Sequence, residues 1–299
     1  MKFLIIGDLH GNKPNIYFKN FDTIIAPGDF CSDKGIREFI SVSYKEFLKN
    51  PYDYRDWWEI AGKVNAKKII KKSLLDGRKI LEFLNSFKVP IYIVPGNWDW
   101  TMGWGHEKWS YLNKNFFKEI LIKNLKNIKN IHKKVLNTKY HVFVGYGICS
   151  GPELYKYRDY ERIFKRKDIE KNKKMYGKLI KKYSGLFKKA EKKNKPIIFL
   201  NHNVPFNTKI DMITDKKSPR YGYHYGSLLT KRMIEKYQPL ISIGGHMHEH
   251  FGKIKIGKTV CINAGFGSYV NALLEIDGNK IKKLEFYQGK KVYKKILGK

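Results

Sequence analysis

The feature that most limits how this chain can fold is a repeated break: short β-branched runs stop on clusters of Asp, His, Asn and Gly, and long Lys-rich amphipathic stretches separate them. Strand-length runs alternating with helix-length ones specify a layered α/β protein. The runs are residues 2–7, 23–26, 89–94 and 196–200. Between the second and third, a helical stretch over 34–87 breaks near Asn50-Pro51, because proline disfavours helix in the residue before it. Residues 128–146 read as short strands around Asn137-Thr138, and 159–195 as one or two basic helices. In the C-terminal third, 251–256, 259–263, 272–276 and 281–286, with turns at Gly257-Lys258 and Asp277-Gly278, read as a β-meander.

No internal repeat or low-complexity linker marks a boundary. The expectation is one domain over 1–299 with basic helical insertions near 34–87 and 114–195, ending in a basic tail, 289–299, that frays. The apolar run after Met1 is far shorter than a signal-peptide core, and no stretch approaches the roughly 20 apolar residues of a spanning helix. A cytoplasmic protein without a membrane span is expected. Cys31, Cys149 and Cys261 show no C-x-x-C spacing and read as buried thiols. Sixty Lys and Arg against 27 Asp and Glu leave a formal charge of +33, and residues 159–195, 114–139 and 280–299 carry +10, +7 and +7 of it. Such a surface suits an anionic partner, nucleic acid included. Nothing in the sequence specifies an oligomeric state.

Five polar clusters sit where the loops of α/β sheets gather into sites, behind apolar strands. They are Asp8-Leu9-His10-Gly11-Asn12, Gly28-Asp29, Gly96-Asn97-Trp98-Asp99, Asn201-His202-Asn203 and Gly245-His246-Met247-His248. Each alone is ordinary turn chemistry. Together, carboxylates, imidazoles and an amide make a mixed nitrogen and oxygen ligand set suited to Mn, Fe, Co, Ni or Zn. Asp8 and His10 are two apart, so both can point to one side of a strand end, and His246 and His248 repeat that spacing. Gly28, Gly96 and Gly245 let the backbone turn sharply.

In this order the clusters resemble the calcineurin-like metallophosphoesterase superfamily, whose pattern is D-x-H, G-D, G-N-H-[DE], a single H, and G-H-x-H. Asn263-Ala264-Gly265-Phe266-Gly267-Ser268 is similar to the Asn-Pro-Gly-Ser turn that follows in the family, with Ala264 in the proline position. The resemblance implies a four-layer α/β/β/α sandwich of two mixed sheets flanked by helices. It also implies a centre of two divalent metal ions, Mn foremost, with Fe, Ni, Co or Zn as the other choices. Asp8, His10 and His248 would hold one ion and Asn97, His202 and His246 the other. Asp29 would bridge them, and Asp29, Asn97 and His202 would form the catalytic set. A hydroxide bridging the ions would then attack phosphorus in line.

One position departs from the pattern: Trp98 stands where the family carries a histidine, and indole cannot transfer that proton. Asp99, which in the family orients that histidine, loses its usual partner. Substrate contacts are expected from Asn12, Trp98, His224 and His250, with His106 a further candidate acid, and the long loop Phe206–Tyr225 is expected to set substrate choice. Asp33, downstream of Asp29, is expected to be dispensable. These features imply a metal-dependent phosphoesterase acting on a phosphoester substrate, a phosphodiester by preference. The alternatives are a small-molecule phosphomonoesterase, or a non-catalytic metal-binding scaffold or nucleic-acid-binding protein on the same fold.

Overall fold

The computed structural model describes residues 1–101, 108–158, 160–216, 218 and 220–293. In chain order the elements are strands β1 (Lys2–Ile5) and β2 (Thr23–Ala26), helices α1 (Arg37–Lys49), α2 (Trp57–Ala61) and α3 (Lys63–Asn85), and strands β3 (Ile91–Ile93), β4 (Ile128–Asn130), β5 (Val135–Asn137) and β6 (Val142–Tyr146). Helix α4 (Arg166–Glu191), strand β7 (Ile197–Asn203), helix α5 (Leu228–Tyr237) and strands β8 (Ile241–Gly245), β9 (Gly252–Ile256), β10 (Thr259–Asn263), β11 (Asn271–Asp277), β12 (Lys280–Gln288) and β13 (Lys291–Tyr293) follow.

Two mixed sheets form, in the orders β13-β12-β11-β1-β2-β3-β4 and β5-β6-β7-β8-β10-β9. The strands from β1 to β4 are parallel, as are β6, β7, β8 and β10. Period-two alternation sends each strand's apolar residues to both faces. Phe3, Ile5 and Ile25 meet Ile198, Leu200, Ile243 and Ile262 between the sheets. The opposite faces are covered too. Leu4, Ile24 and Ile91 pack against α2 and α3, through residues such as Trp58, Ile70 and Leu81. Val142, Val144 and Phe199 pack against Tyr183 and Phe187 of α4 and Leu229 and Met233 of α5. These three apolar layers separate four structural ones, so the α/β/β/α sandwich stands.

Helix α3 shows why these residues make a helix. Ala66, Ile70, Leu74, Gly77, Ile80, Leu81 and Leu84 recur at helical spacing and are buried, while lysines occupy the other face. The helical stretch 34–87 breaks as the proline requires: α1 stops at Lys49, and Glu59 of α2 reaches back to the Asp56 N–H at 2.8 Å, one half of a capping box.

Two expectations need correction. The C-terminal third is not one meander: β9 and β10 form a hairpin in the second sheet, and β11, β12 and β13 belong to the first. The crossing is fixed by the turn after β10, where Ala264 N–H donates to Gly244 O at 2.8 Å and Gly267 N–H to Gly7 O at 2.8 Å, tying it to both sheets. Alternation along a strand reports a buried face, not which sheet owns it. The stretch 114–195 is likewise not a helical insertion throughout, since it supplies β4 to the first sheet and β5 and β6 to the second. Of the basic tail, 289–293 turns back as β13, and 294–299 lies outside the described residues.

Two histidines outside the polar clusters are enclosed as neutral bases. His132 accepts the Gly147 N–H on Nδ1 at 2.8 Å, and burial, then neighbouring lysines, push it down to about 3. His141 packs edge-on against Phe3, and burial, then the N-terminal ammonium, push it down to about 4. A folded-state value below the free one means that the stabilisation is complete above about pH 6.5 and is lost as pH falls towards the folded values. The urea midpoint is therefore expected to fall between about pH 6.5 and 4, and His141→Phe to flatten part of that fall. Parallel profiles for the two proteins would contradict this.

Candidate metal centre

All five polar clusters lie at the carboxyl ends of parallel strands, and the two sheets bring those ends to one seam. The loops after β1 and β2 are laced together: Asp8 N–H donates to Gly28 O at 2.9 Å, Leu9 and His10 N–H to Asp29 O at 2.8 and 2.9 Å, and Gly11 N–H to Phe30 O at 2.8 Å. Asp8, His10, Asp29 and His246 all take left-handed backbone conformations, with φ between 45° and 71°. Non-glycine residues in that region cost about 1–3 kcal/mol each and persist where the surroundings enforce them.

The three glycines turn out to serve closeness more than turning. Only Gly28 has a positive φ, 109°. A Cβ on Gly96 would lie 2.0 Å from Asp29 Oδ1, and one on Gly245 would lie 2.2 Å from Asp8 Oδ2. Asp99, expected to lack a partner, has four. Its buried carboxylate accepts the N–H groups of Gly96 (2.8 Å), Asp29 (2.9 Å), Phe30 (2.7 Å) and Cys31 (3.1 Å), stapling the loop after β3 to the loop after β2. Burial, then the Asp29 charge, raise it to about 7 against the pull of those donors.

The side chains converge on two groups that share one residue. Asp8, His10, Asp29 and His248 form the first, and Asp29, His202 and His246 the second, with their donor atoms within 4.8 Å of one another in each. His10 Nε2 stands 3.0 Å from His248 Nε2 and 3.6 Å from Asp29 Oδ2. His202 Nε2 stands 3.5 Å from Asp29 Oδ2 and 2.8 Å from Asn97 Oδ1. His202 arrives there although it lies within β7, because the pairing of β7 with β8 shifts register between Leu200 and Asn203. Its Nδ1 lies 2.8 Å from Pro27 O, which fixes the proton on Nδ1 and leaves Nε2 with a lone pair facing the Asn97 oxygen.

This arrangement is poor without cations. Asp8 Oδ1 and Asp29 Oδ2 are buried and hydrogen-bonded to no described residue, and lone pairs face one another. Burial, then Asp29, raise the Asp8 carboxyl well above the usual range, and burial, then the neighbouring histidines, lower His246. Burial, then His10, push His248 down to about 4. Neutral imidazoles and unpaired carboxylate oxygens are the donor state that divalent ions take up, so the residues fit a two-ion centre.

With this geometry in hand, the sequence model of the calcineurin-like phosphoesterases matches residues 1–250. The chain belongs to the calcineurin-like phosphoesterase family. It is a phosphoester hydrolase, and the family implies divalent metal ions at a dinuclear site. One solved structure superposes with a TM-score of 0.57 at 16% identity, covering 96% of this chain and 98% of its own, which is a likeness of fold. A dimetal phosphatase from Danio rerio gives 0.49 at 10%, covering 96% and 95%, and the phosphopantetheinyl hydrolase from Mycobacterium tuberculosis gives 0.49 at 12%, covering 89% and 90%. No curated protein sequence matches the chain.

Around the family's core site lies a cleft of about 680 Å³. One wall comes from α1 and the segment leading to α2, with Tyr44, Phe47, Tyr54 and Trp58. The other includes Ile213, Arg220 and Tyr225 from the long loop after β7, which Asp211 folds back on itself by accepting the N–H groups of Asn207, Thr208 and Gly226. Trp98 lines the cleft, and its backbone N–H donates to Asp29 Oδ1 at 2.8 Å. Three of the expected substrate contacts are placed otherwise. Asn12 spends its amide on Leu9 O and His10 O within its own turn, His224 pairs with Asp211 at 2.8 Å, and His250 lies 2.6 Å from Met212 O; none of them lines the cleft. His106 lies outside the described residues.

Asp33, expected to be dispensable, stands beside the cluster. Its Oδ2 lies 3.3 Å from His10 Nδ1, on the side of the ring away from the Nε2 that faces His248. Burial opposes ionisation of Asp33, but His10 and Arg37 outweigh it and keep the carboxyl well below its usual range. Only its place one turn before Arg37 hints at this in the sequence. Carboxylate partners of ligating histidines are typically worth about 10–100-fold in metal affinity, so Asp33→Asn is expected to weaken Mn binding to chelator-stripped protein by that much. Exposed Asp53 supplies the control variant, Asp53→Asn. Equal calorimetric affinities for the two variants would contradict the assignment.

Proposed function

We propose that the protein is a phosphodiesterase that works with two divalent ions, Mn foremost. Asp8, His10 and His248 hold one ion, Asn97, His202 and His246 the other, and Asp29 serves both. The observation that carries this reading is the pair of buried donor groups sharing Asp29, beside an indole where the family motif has an acid. When bound, such ions supply Lewis-acid charge to the phosphoryl oxygens and lower the pKa of water.

The protein's own residues set the rest. Pro27 O and Asp33 orient His202 and His10, and the Trp98 N–H holds Oδ1 of Asp29 so that Oδ2 faces both histidines. Neither indole nor amide at this seam can protonate a leaving oxygen. Absence of such an acid costs about 10²–10⁴ in rate and penalises poor leaving groups most, which favours esters whose leaving group departs unaided. Three buried, unpaired cysteines support a reducing, cytoplasmic setting.

A polynucleotide is the diester that the charge favours. The basic start of α4 abuts the aromatic wall: Lys165 N–H donates to Tyr52 OH at 2.7 Å, and Phe164 packs 5.9 Å from Phe47 of the cleft. Lys165, Arg166 and Lys167 are exposed next to that wall, where a phosphate backbone leaving the cleft would meet them.

The test is turnover of aryl phosphodiesters and monoesters by Mn-reconstituted protein. Diesters are expected to react faster, with a rate that falls steeply as leaving-group pKa rises, and Trp98→His to speed poor substrates more than good ones. Reversal of Lys165, Arg166 and Lys167 to Glu is expected to weaken oligonucleotide binding and flatten its salt dependence, about 0.7 in log K per phosphate on a single strand, while leaving aryl diester turnover intact. Monoester preference with a flat leaving-group dependence would overturn the diesterase reading.

A further inference from the structure

The family motif assigns nothing to Arg37, yet this residue lines the cleft beside the cluster. It opens α1, where a positive charge opposes the helix dipole, so helix stability does not account for it. Its Nε donates to Asp33 Oδ2 at 2.6 Å, and its Nη2 pairs with the same oxygen. The guanidinium carbon lies over the Trp98 ring, 5.5 Å from its centroid, within the range of a cation–π contact. Nη1 is hydrogen-bonded to no other described residue. The side chain, 62% exposed, thus has contacts on two sides, and it lines the cleft together with Asp29, Asn97 and His248.

We propose that Arg37, paired with Asp33 and set over the Trp98 ring, binds a non-bridging oxygen of the substrate phosphoryl group and supplies the positive charge lost with the motif histidine. The inference rests on the phosphoesterase reading above and adds to it the group that grips phosphate. Trp98 then has a role that its failure as an acid leaves open: its ring is the surface that holds the guanidinium in place. A planar fork of N–H donors matches phosphate oxygens. Guanidinium keeps its proton at any biological pH, so Arg37 neutralises developing charge without protonating the leaving oxygen.

The experiment compares wild type, Arg37→Gln and Arg37→Lys, each loaded with Mn. Three quantities are read: metal content, affinity for inorganic phosphate by calorimetry, and KM and kcat for an aryl phosphodiester. Arg37→Gln is expected to bind phosphate about 10–100-fold more weakly, the range for a lost charge-assisted hydrogen bond, at unchanged metal content. Arg37→Lys should fall between the two, and added guanidinium ion should restore part of the affinity of Arg37→Gln. Phosphate affinity equal to wild type overturns the inference, as does a loss that follows loss of Mn, which would make Arg37 a support for Asp33 alone. Wild-type protein that hydrolyses no phosphoester would overturn the underlying reading, a result visible without either variant.

Discussion

Two carboxylates, Asp8 and Asp29, are buried side by side at the seam of two sheets with no protein cation beside their inner oxygens among the described residues. Moving unpaired charge out of water is among the costliest steps in folding, and like charges at close range add to it. The chain accepts this at one place and organises around it. Gly96 and Gly245 leave room for the carboxylates themselves, backbone N–H groups of Trp98 and His246 satisfy their outer oxygens, and Asp99 ties the flanking loops together through four N–H donors. What remains is a pair of inward oxygens and a ring of imidazole nitrogens, which divalent ions satisfy.

The sandwich makes that strain tolerable. Four left-handed residues at about 1–3 kcal/mol each would unfold a marginal loop, but each sits within a few residues of a strand that is buried on both faces. Three apolar layers fix the strand ends, and the strand ends fix the loops. The cleft beside that centre is built from other segments. The cleft walls come from the helical stretch after β2 and the long loop after β7, so the sheets position the reacting centre and the insertions shape what reaches it.

Much of this was legible in the chain itself. Short β-branched runs ending in Asp, His, Asn and Gly specified both the sheets and the positions that converge, since strand ends are where side chains of distant segments can meet. What stayed hidden depends on tertiary contact. Asp33 and Arg37 carry no signal beyond their spacing, because their meaning comes from His10 and Trp98 folding onto them. Asp99 read as an orphan because backbone donors leave no trace in side-chain motifs. The C-terminal hairpins read as one meander because alternation cannot say which sheet a strand joins, and for the same reason the short strands read over 128–146 gave no sign that β4 and β5 belong to different sheets. His224 and His250 were candidates by residue type alone, and local partners hold them elsewhere.

The central claim is that one carboxylate, Asp29, serves two metal sites at once. Electron paramagnetic resonance of the Mn-reconstituted protein, with metal content measured on the same sample, tests it most directly. The account predicts two ions per chain with an exchange-coupled spectrum, and in Asp29→Asn a loss of that coupling together with weaker binding at both sites. One ion per chain, or two whose spectrum is that of isolated Mn and is indifferent to Asp29→Asn, would contradict it.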